Sequence, residues 1–119
     1  MVPPKRVVAR FYRQARGHEP VRDWLGALSR EDRRSIGRDL MAVEFGWPCG
    51  PPLCRSLVSY PGLYEVRSNL TGGRIARVFF TISGSTMLLL HGFIKKTQST
   101  PLRELRLAER RMKEYQHGR

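Results

Sequence analysis

Three apolar segments in the C-terminal half of the chain, joined by two tight turns, constrain the fold most strongly. They cover residues 63–70, 74–83 and 86–95 and are rich in the β-branched and aromatic residues typical of strands. A Thr-Gly-Gly loop at residues 71–73 separates the first two segments. The Gly-Ser pair at residues 84–85, with glycine first, suits a two-residue hairpin between the last two. The pattern predicts a meander of three antiparallel strands.

The first half of the chain predicts a short strand and two helices. Residues 7–12 follow two prolines and form the first candidate strand. Pro20 begins a segment with apolar residues at helical spacing. Ser29, with an aspartate three positions further on, can cap a second helix that ends at the Gly-Trp-Pro run of residues 46–48. A proline-rich loop follows, and it contains a short candidate strand at residues 53–59.

The end of the chain predicts a final helix. The last strand of the meander runs directly into Lys95 and Lys96, and Thr100 and Pro101 are typical of an N-cap and a first helical position. Together the segments predict one α+β domain over residues 1–119. We expect an antiparallel sheet of about four strands, two N-terminal helices and one C-terminal helix.

The charge of the chain favours an anionic partner. Its 22 lysines and arginines against 10 aspartates and glutamates leave a net charge of +12, and the excess is spread over both halves of the sequence. Arginine outnumbers lysine, and the forked guanidinium suits contacts to phosphate. A polyanion such as RNA is the expected partner. The alternative is a solvated surface that keeps a small protein soluble.

The two cysteines, Cys49 and Cys54, do not predict a metal site. Two thiols without a nearby histidine fall short of the four ligands of a structural zinc site. A disulfide between them is geometrically possible, but no signal peptide marks the chain for secretion and no apolar stretch reaches the length of a membrane span. We therefore expect a reduced, cytoplasmic protein without a metal ion, a cofactor or a membrane partner.

The length of the first turn predicts which charged residues become neighbours. A three-residue loop at 71–73 places Arg67 opposite Arg77 and Glu65 opposite Phe79. Adjacent guanidinium groups repel each other, so an anion should bridge them. Glu65 in a purely structural ion pair is the alternative to a bound ligand. A two-residue loop would instead move Arg67 to the apolar face, where burial without a partner is costly.

The second turn extends the same reasoning to the last strand. Counting from a two-residue hairpin places Arg77 opposite Gly92 and Val78 opposite His91. Gly92 would then leave a shallow recess beside the two arginines. His91 would share the apolar face, which favours a packed histidine over a general base, although an ordinary pKa of about 6.5 would suit that role.

These residues resemble a known protein family. Residues 63–67, 77–80 and 89–101, the last with its Lys-Lys-Thr-Gln-Ser-Thr-Pro run, are similar to the phage-derived, HigB-like branch of the RelE/ParE toxins. The resemblance covers the chain from the first helix to the last. It implies a compact RelE-like α+β fold, growth arrest, and a partner antitoxin that is often of the helix-turn-helix type. Many relatives cut messenger RNA in the ribosomal A site, whereas the ParE relatives block DNA gyrase.

The resemblance also implies a catalytic site without a metal ion. In this chemistry the 2′-hydroxyl next to the scissile phosphate attacks, and cationic side chains assist it. Arg77 is expected to clamp the phosphate of the transition state with the help of Arg67. Lys95 and Lys96 are expected to divide the roles of acid or base and of phosphate anchor. Glu65 stands where the best-studied relatives have a lysine base, and it is the fifth catalytic candidate.

Four further residues are candidates for RNA contacts outside the catalytic group: Arg74, His91, Arg103 and Arg106. The leading hypothesis is the toxin of a type II toxin–antitoxin system that acts as a ribosome-dependent messenger RNA endonuclease. A gyrase-inhibiting toxin without nuclease activity and a non-catalytic RNA-binding or ribosome-binding module are the alternatives. The hypotheses differ in whether the catalytic candidates converge on one recess of the size of a phosphate group.

Overall fold

Five β-strands and three α-helices make up the part of the chain that the structure, a computed structural model, describes: residues 3–95 and 100–118. One turn of 3-10 helix over Thr71–Gly73, which the sequence predicts only as a loop, adds a fourth helical element. In chain order the strands and α-helices are β1 (Val8–Phe11), α1 (Pro20–Gly26), α2 (Arg30–Gly46), β2 (Cys54–Ser56), β3 (Tyr64–Asn69), β4 (Ile75–Ser83), β5 (Thr86–Lys95) and α3 (Leu102–His117).

The five strands form one mixed sheet in the order β1-β5-β4-β3-β2. β1 runs parallel to β5, and the other neighbouring pairs are antiparallel. The α+β class is confirmed, but the prediction of about four antiparallel strands is wrong in number and in direction. No turn joins β1 to its neighbour in the sheet. Its partner lies near the other end of the chain, and so the sequence carries no local signal for the parallel pairing.

Helices cover both faces of the sheet, and two separate apolar cores result. α1 and α2 cover the first face, where the core includes Ile36, Val43 and Phe80. α3 covers the second face, where the core includes Phe79 and Met112. Because β4 lies between two covered faces, its residues are buried up to the last two positions.

α2 begins at the predicted cap. The Ser29 side chain accepts a hydrogen bond of 3.1 Å from the backbone N–H of Asp32, which satisfies one of the free donors of the first helical turn. Ile36, Leu40 and Val43 are buried at helical spacing against the first face of the sheet. The predicted cap of α2 is therefore confirmed, and its buried residues form an apolar line that faces the sheet.

Both hairpin turns have the predicted lengths. The loop at residues 71–73 places Arg67 opposite Arg77, as expected. Its two glycines adopt φ values of 74°, in the left-handed region that glycine tolerates. The second turn pairs Ser83 with Thr86, which confirms the two-residue loop.

A β-bulge then shifts the register between β4 and β5. Phe80 pairs with Leu89, but the next residue back, Phe79, pairs with His91. β5 therefore has one extra residue, Leu90, at this point. Since side chains alternate between the faces of a sheet, one extra residue moves every later side chain of β5 to the opposite face.

Two predictions that depend on the register of β5 are wrong. Arg77 pairs with Phe93, not with Gly92, and His91 lies on the second face of the sheet, not in the first apolar core. Gly92 faces the first side of the sheet, where a Cβ atom would lie 2.3 Å from Cζ3 of Trp24. The Trp24 ring fills this space, and so Gly92 leaves no recess beside the arginines.

α3 begins one residue later than predicted. Pro101 is the N-cap with ψ of 141°, outside the helical region, so Thr100 does not cap the helix. The predicted final helix is present, and Ala108 and Met112 are its buried residues. Within the described residues, no helix combines the length and apolar character needed to cross a membrane.

Candidate active site

A row of charged side chains crosses the second face of the sheet near its β2 edge. The strand register places Arg55 beside Glu65, and Arg67 beside Arg77. Directly paired residues share a face of the sheet. Glu65 also pairs with Phe79 of the second core, so the whole row lies on the side of α3.

Glu65 is the anionic centre of this row. Its Oε1 accepts a hydrogen bond of 2.8 Å from Nη1 of Arg77 and one of 3.1 Å from Nε of Arg55. The side chains of Glu65 and Arg77 are 2% exposed, whereas that of Arg55 is 54% exposed. A carboxylate is stable at this depth only where cationic donors replace water. The structural ion pair that the sequence left open is present. Glu65 binds Arg77 and Arg55, but it does not bind Arg67.

The other oxygen of the same carboxylate lacks a hydrogen bond. Oε2 of Glu65 is buried, and no donor from the described residues reaches it. Buried acceptors in folded proteins nearly always have a partner. Among the described residues, this oxygen therefore remains an acceptor without a donor, at a depth that bulk solvent does not reach.

A cavity of about 350 Å³ opens beside the row of charges. Arg55, Glu65, Arg67 and Arg77 line it, and the proline-rich segment 51–54 completes the lining. Three guanidinium groups and one carboxylate give the lining a net charge of two positive units. Such a cavity favours an anion, and its guanidinium forks match the geometry of a phosphate group.

Arg67 is the cavity residue with the greatest freedom to bind a ligand. Its side chain is half-buried and makes no hydrogen bond or ion pair with another described residue. Its backbone is fixed, because the Arg67 N–H donates a 2.9 Å hydrogen bond to the carbonyl of Leu53 in the cavity wall. This bond joins the backbone of β3 at Arg67 to the cavity wall, while the Arg67 side chain makes no bond to it.

Two free cysteines support the wall of the cavity. Cys54 is buried at the start of β2, and Cys49 is half-buried just before the proline-rich segment. Burial, together with the neighbouring Cys49 thiol, raises the pKa of the Cys54 thiol far above its ordinary value. The thiol form of Cys54 packs in the first core.

Lys95 lies on the same face but outside the cavity lining. It is the last residue of β5 and pairs with Ile75, two positions along β4 from Arg77. Lys96 lies outside the residues that the structure describes. Its expected role in catalysis therefore stays a prediction, as does the role of Lys95.

His91 is packed between the sheet and α3. Its Nε2 lies 2.6 Å from Oε1 of Glu104, and its ring stacks on Phe93 with the centroids 5.7 Å apart. Burial lowers the pKa of His91 below its ordinary value, and this effect outweighs the opposite influence of Glu104. The neutral, packed histidine is thus the form that this position favours, and His91 joins α3 to the sheet.

The other predicted RNA contacts do not line the cavity. Arg74 binds both carboxylate oxygens of Asp32 at 2.8 and 2.9 Å, which fastens the β3–β4 loop to α2. This hydrogen bonding lowers the pKa of Asp32. Arg103 and Arg106 are exposed on α3. Their contact with RNA stays a prediction.

Arg55 is the cavity residue that sequence reasoning missed. It lies on a strand of three residues inside a proline-rich loop, where the sequence pattern is weak. Only the pairing of β2 with β3 brings it opposite Glu65. The available signal was a basic residue in a strand that could pair with the segment carrying Glu65.

A second, larger cavity of about 570 Å³ lies between the β1–α1 loop and the end of α3. Residues 12–17 line one side of it, and Glu114 and Tyr115 line the other. None of the predicted site residues that the structure describes lines this cavity. In the described ranges, no group of three or more His, Cys, Asp and Glu side chains is arranged to hold a metal ion.

Comparison with known proteins gives one family. Residues 23–113 match the model of the family described as phage-derived protein Gp49-like (DUF891). The match spans most of the chain and contains every residue of the charged row. No curated protein matches the chain.

Proposed function

The chain belongs to the Gp49-like family of phage-derived proteins, and we propose that it is the toxin of a type II toxin–antitoxin pair. The proposal follows from the family, which belongs to the RelE/HigB-type toxin group. The proposed activity of the chain is the cleavage of messenger RNA on the ribosome, which stops translation. The observation that carries this proposal is the cavity lined by Arg55, Arg67 and Arg77 together with Glu65, whose buried Oε2 accepts no hydrogen bond from a described residue.

The proposed reaction is an attack of RNA on its own backbone. Once RNA binding opens the lining over the buried Glu65 carboxylate, the 2′-hydroxyl of a nucleotide donates its proton to Oε2 of Glu65 and forms a bond to the adjacent phosphorus. The bond from phosphorus to the 5′-oxygen breaks, which leaves a 2′,3′-cyclic phosphate and a 5′-hydroxyl. Arg67 and Arg77 offset the charge that develops on the phosphate oxygens, the effect that usually supplies the largest part of catalysis.

The leaving 5′-oxygen needs a proton, and the described residues of the cavity lining include no histidine, lysine or second carboxylate that could supply it. The proposed donor is Lys95, the last residue of β5, or Lys96, which follows it in the sequence, and the other lysine anchors a neighbouring phosphate. Because Lys95 stands outside the lining, RNA has to be held in an extended position to meet both groups. We propose that the ribosomal A site holds the message in this position and that free RNA is a poor substrate.

An antitoxin partner follows from the same proposal. The excess of positive charge on the chain favours an acidic partner, and an antitoxin of the helix-turn-helix type is the expected one. Binding that covers the cavity would keep the toxin inactive until the antitoxin is degraded.

The test compares two arginine variants in cells. Arg67→Ala removes a cavity cation that makes no ion pair with a described residue, so the fold should tolerate it. Arg22→Ala is the matched control, because this side chain is 70% exposed on α1. Induction of the wild-type protein and of Arg22→Ala should produce messenger RNA fragments with 2′,3′-cyclic phosphate ends. In Arg67→Ala, the cleavage rate should fall by roughly 100-fold, as for the loss of one donor to a transition state.

The outcomes separate the competing functions. Equal cleavage by Arg67→Ala and wild type would refute the cavity as the catalytic site. Relaxed plasmids or double-strand breaks with intact messages would replace the proposal by gyrase inhibition. Rapid cleavage of naked RNA by the purified protein, without ribosomes, would refute the dependence on the ribosome.

A further inference from the structure

The four acidic side chains of α2 bind groups that lie outside the helix. Asp32, Asp39 and Glu44 are turned towards the rest of the fold, whereas Glu31 is exposed. Their contacts are Glu31 with the Thr71 hydroxyl at 3.1 Å, Asp32 with Arg74 at 2.8 Å, Asp39 with the Ser68 hydroxyl at 2.5 Å, and Glu44 with the Ala9 N–H at 2.8 Å.

Three arginines of α2 remain on the outer side. Arg30, Arg34 and Arg38 are exposed, and none of them forms a hydrogen bond or an ion pair with a described residue. They follow one another at intervals of four residues, so they form a stripe along one side of the helix with a rise of about 6 Å per step. Arg33 differs, because it donates a 2.9 Å hydrogen bond to the carbonyl of Leu28, between α1 and α2.

This stripe weakens the helix that carries it. Like charges four residues apart repel each other on a helix surface. Arg30, the first residue of α2, also lies at the positive N-terminal end of the helix dipole, where cations are unfavourable. Glu31 and Asp32 of the first turn offset this second cost in part, but no described carboxylate forms an ion pair with the three arginines. The stripe therefore makes no ion pair or hydrogen bond that stabilises the described fold.

We propose that Arg30, Arg34 and Arg38 bind the phosphate backbone of RNA at a second site, separate from the cavity. The stripe lies on α2, which covers the first face of the sheet, while the cavity opens on the second. A row of evenly spaced guanidinium groups fits a polymer whose charges are also evenly spaced. The contact is independent of sequence and does not require that the protein cleaves RNA.

The surroundings of the stripe favour RNA over an acidic protein. Stable protein interfaces have an apolar centre with large buried anchors. Beside these arginines the helix has Gly37, with open space around it, and Met41 is the one large apolar side chain of α2 that is exposed. A charged surface with so little apolar area is typical of phosphate contacts.

The test measures how RNA binding depends on salt. The probe is a single-stranded RNA of about 20 nucleotides with 2′-O-methyl groups, which the proposed reaction cannot cleave. The triple variant R30Q/R34Q/R38Q is compared with R6Q/R10Q/R16Q, which removes three exposed arginines elsewhere. Glutamine keeps the helix propensity of arginine, and circular dichroism checks that α2 is intact.

Three phosphate contacts predict a clear change in the salt slope. In R30Q/R34Q/R38Q, the slope of log K against log salt should become shallower by about 2, from roughly 0.7 per contact. The control triple variant should change it by less than about 1. Equal changes in the two variants would overturn the inference. It would also fail if a polyglutamate peptide bound as tightly as the RNA and lost its affinity in the same variant.

Failure of the proposed function remains distinguishable from failure of this inference. An α2-dependent salt slope in a protein that never cleaves RNA would keep the second site and refute the nuclease. Cleavage that requires Arg67, combined with an unchanged slope in R30Q/R34Q/R38Q, would keep the nuclease and refute the second site.

Discussion

At the scale of single residues, Glu65 and Arg77 belong both to the fold and to the candidate site. Their side chains are nearly inaccessible and share a 2.8 Å hydrogen bond, so the loss of either changes a buried pair. Arg55 reaches the same carboxylate from an exposed edge strand. Alanine at position 77 would therefore mix a catalytic effect with an effect on stability, which makes Arg67 the better probe of function.

Glu65 is buried and its partner Arg55 is largely exposed, so their replacement should have unequal effects on stability. Glu65→Ala should lower the free energy of unfolding by about 3 to 5 kcal/mol, as expected when a buried ion pair loses one member. Arg55→Ala should lower it by about 1 kcal/mol or less, because its side chain is largely exposed. Urea unfolding followed by circular dichroism measures both values. Similar small losses in the two variants would contradict the assignment of Glu65 and Arg77 as a buried pair.

The sequence predicted part of this site from turn length alone. A three-residue loop is enough to place Arg67 beside Arg77, because the pairing next to a tight turn depends only on the count of residues. Arg55 could not be placed in this way. Its strand follows a proline-rich segment whose path depends on packing, and no short turn determines its partner.

At the scale of elements, β5 shows where counting from a turn stops being valid. The hairpin register is correct as far as Leu89, and one extra residue then reverses the facing of His91 and Gly92. A bulge adds a residue without a distinctive sequence signal in this apolar strand. The shifted register places Gly92 under the ring of Trp24. The packing of α1 against β5 therefore favours this register.

This close contact predicts an effect that only the shifted register explains. Gly92→Ala would place a methyl carbon 2.3 Å from the Trp24 ring, and the displacement of α1 should cost about 1 to 3 kcal/mol of unfolding free energy. Gly37→Ala is the matched control. This glycine lies inside α2, and beyond the helix's own backbone and the adjacent residues no atom lies within 4 Å of the place that a Cβ atom would take. Alanine should therefore stabilise the protein by about 0.5 to 1 kcal/mol.

Thermal and urea unfolding of the two glycine variants decide the question. Opposite signs would support the contact between β5 and α1. A stabilising Gly92→Ala would mean that position 92 faces open space, as the unshifted register requires, and the bulge would then be wrong.

At the scale of the whole molecule, the ten acidic residues matter more for the fold than their number suggests. The chain carries a net charge of +12, yet acidic side chains join separate elements. Asp32 binds Arg74 of the β3–β4 loop, and Glu44 accepts a hydrogen bond from a backbone N–H of β1. Glu104 of α3 contacts His91 of β5. Protonation of Asp32 weakens its ion pair with Arg74 and increases the positive charge of the chain at the same time.

The pH dependence of stability follows from two pKa shifts with the same sign. Hydrogen bonds from Arg74 lower the pKa of Asp32 below 3.8, and burial lowers the pKa of His91 below 6.5. In both cases the unfolded chain binds protons more readily than the folded one, so stability falls as the pH falls. The contribution of His91 is present above about pH 6.5 and is lost as the pH decreases below it. The contribution of Asp32 is present above about pH 4 and is lost below it.

Urea unfolding between about pH 3 and pH 8 should therefore show a loss of stability in two successive steps on acidification. His91→Gln should flatten the step below about pH 6.5 and leave the more acidic step intact. Asp32→Asn should lower stability at neutral pH and flatten the more acidic step, because the contact with Arg74 no longer depends on protonation. Glu104 and Arg111 also face His91, and Glu104→Gln should enlarge the first step by removing the carboxylate that favours the protonated ring. An unchanged first step in His91→Gln would contradict the buried, neutral state of this histidine. It would also contradict the contact between His91 and Glu104 that joins α3 to the sheet.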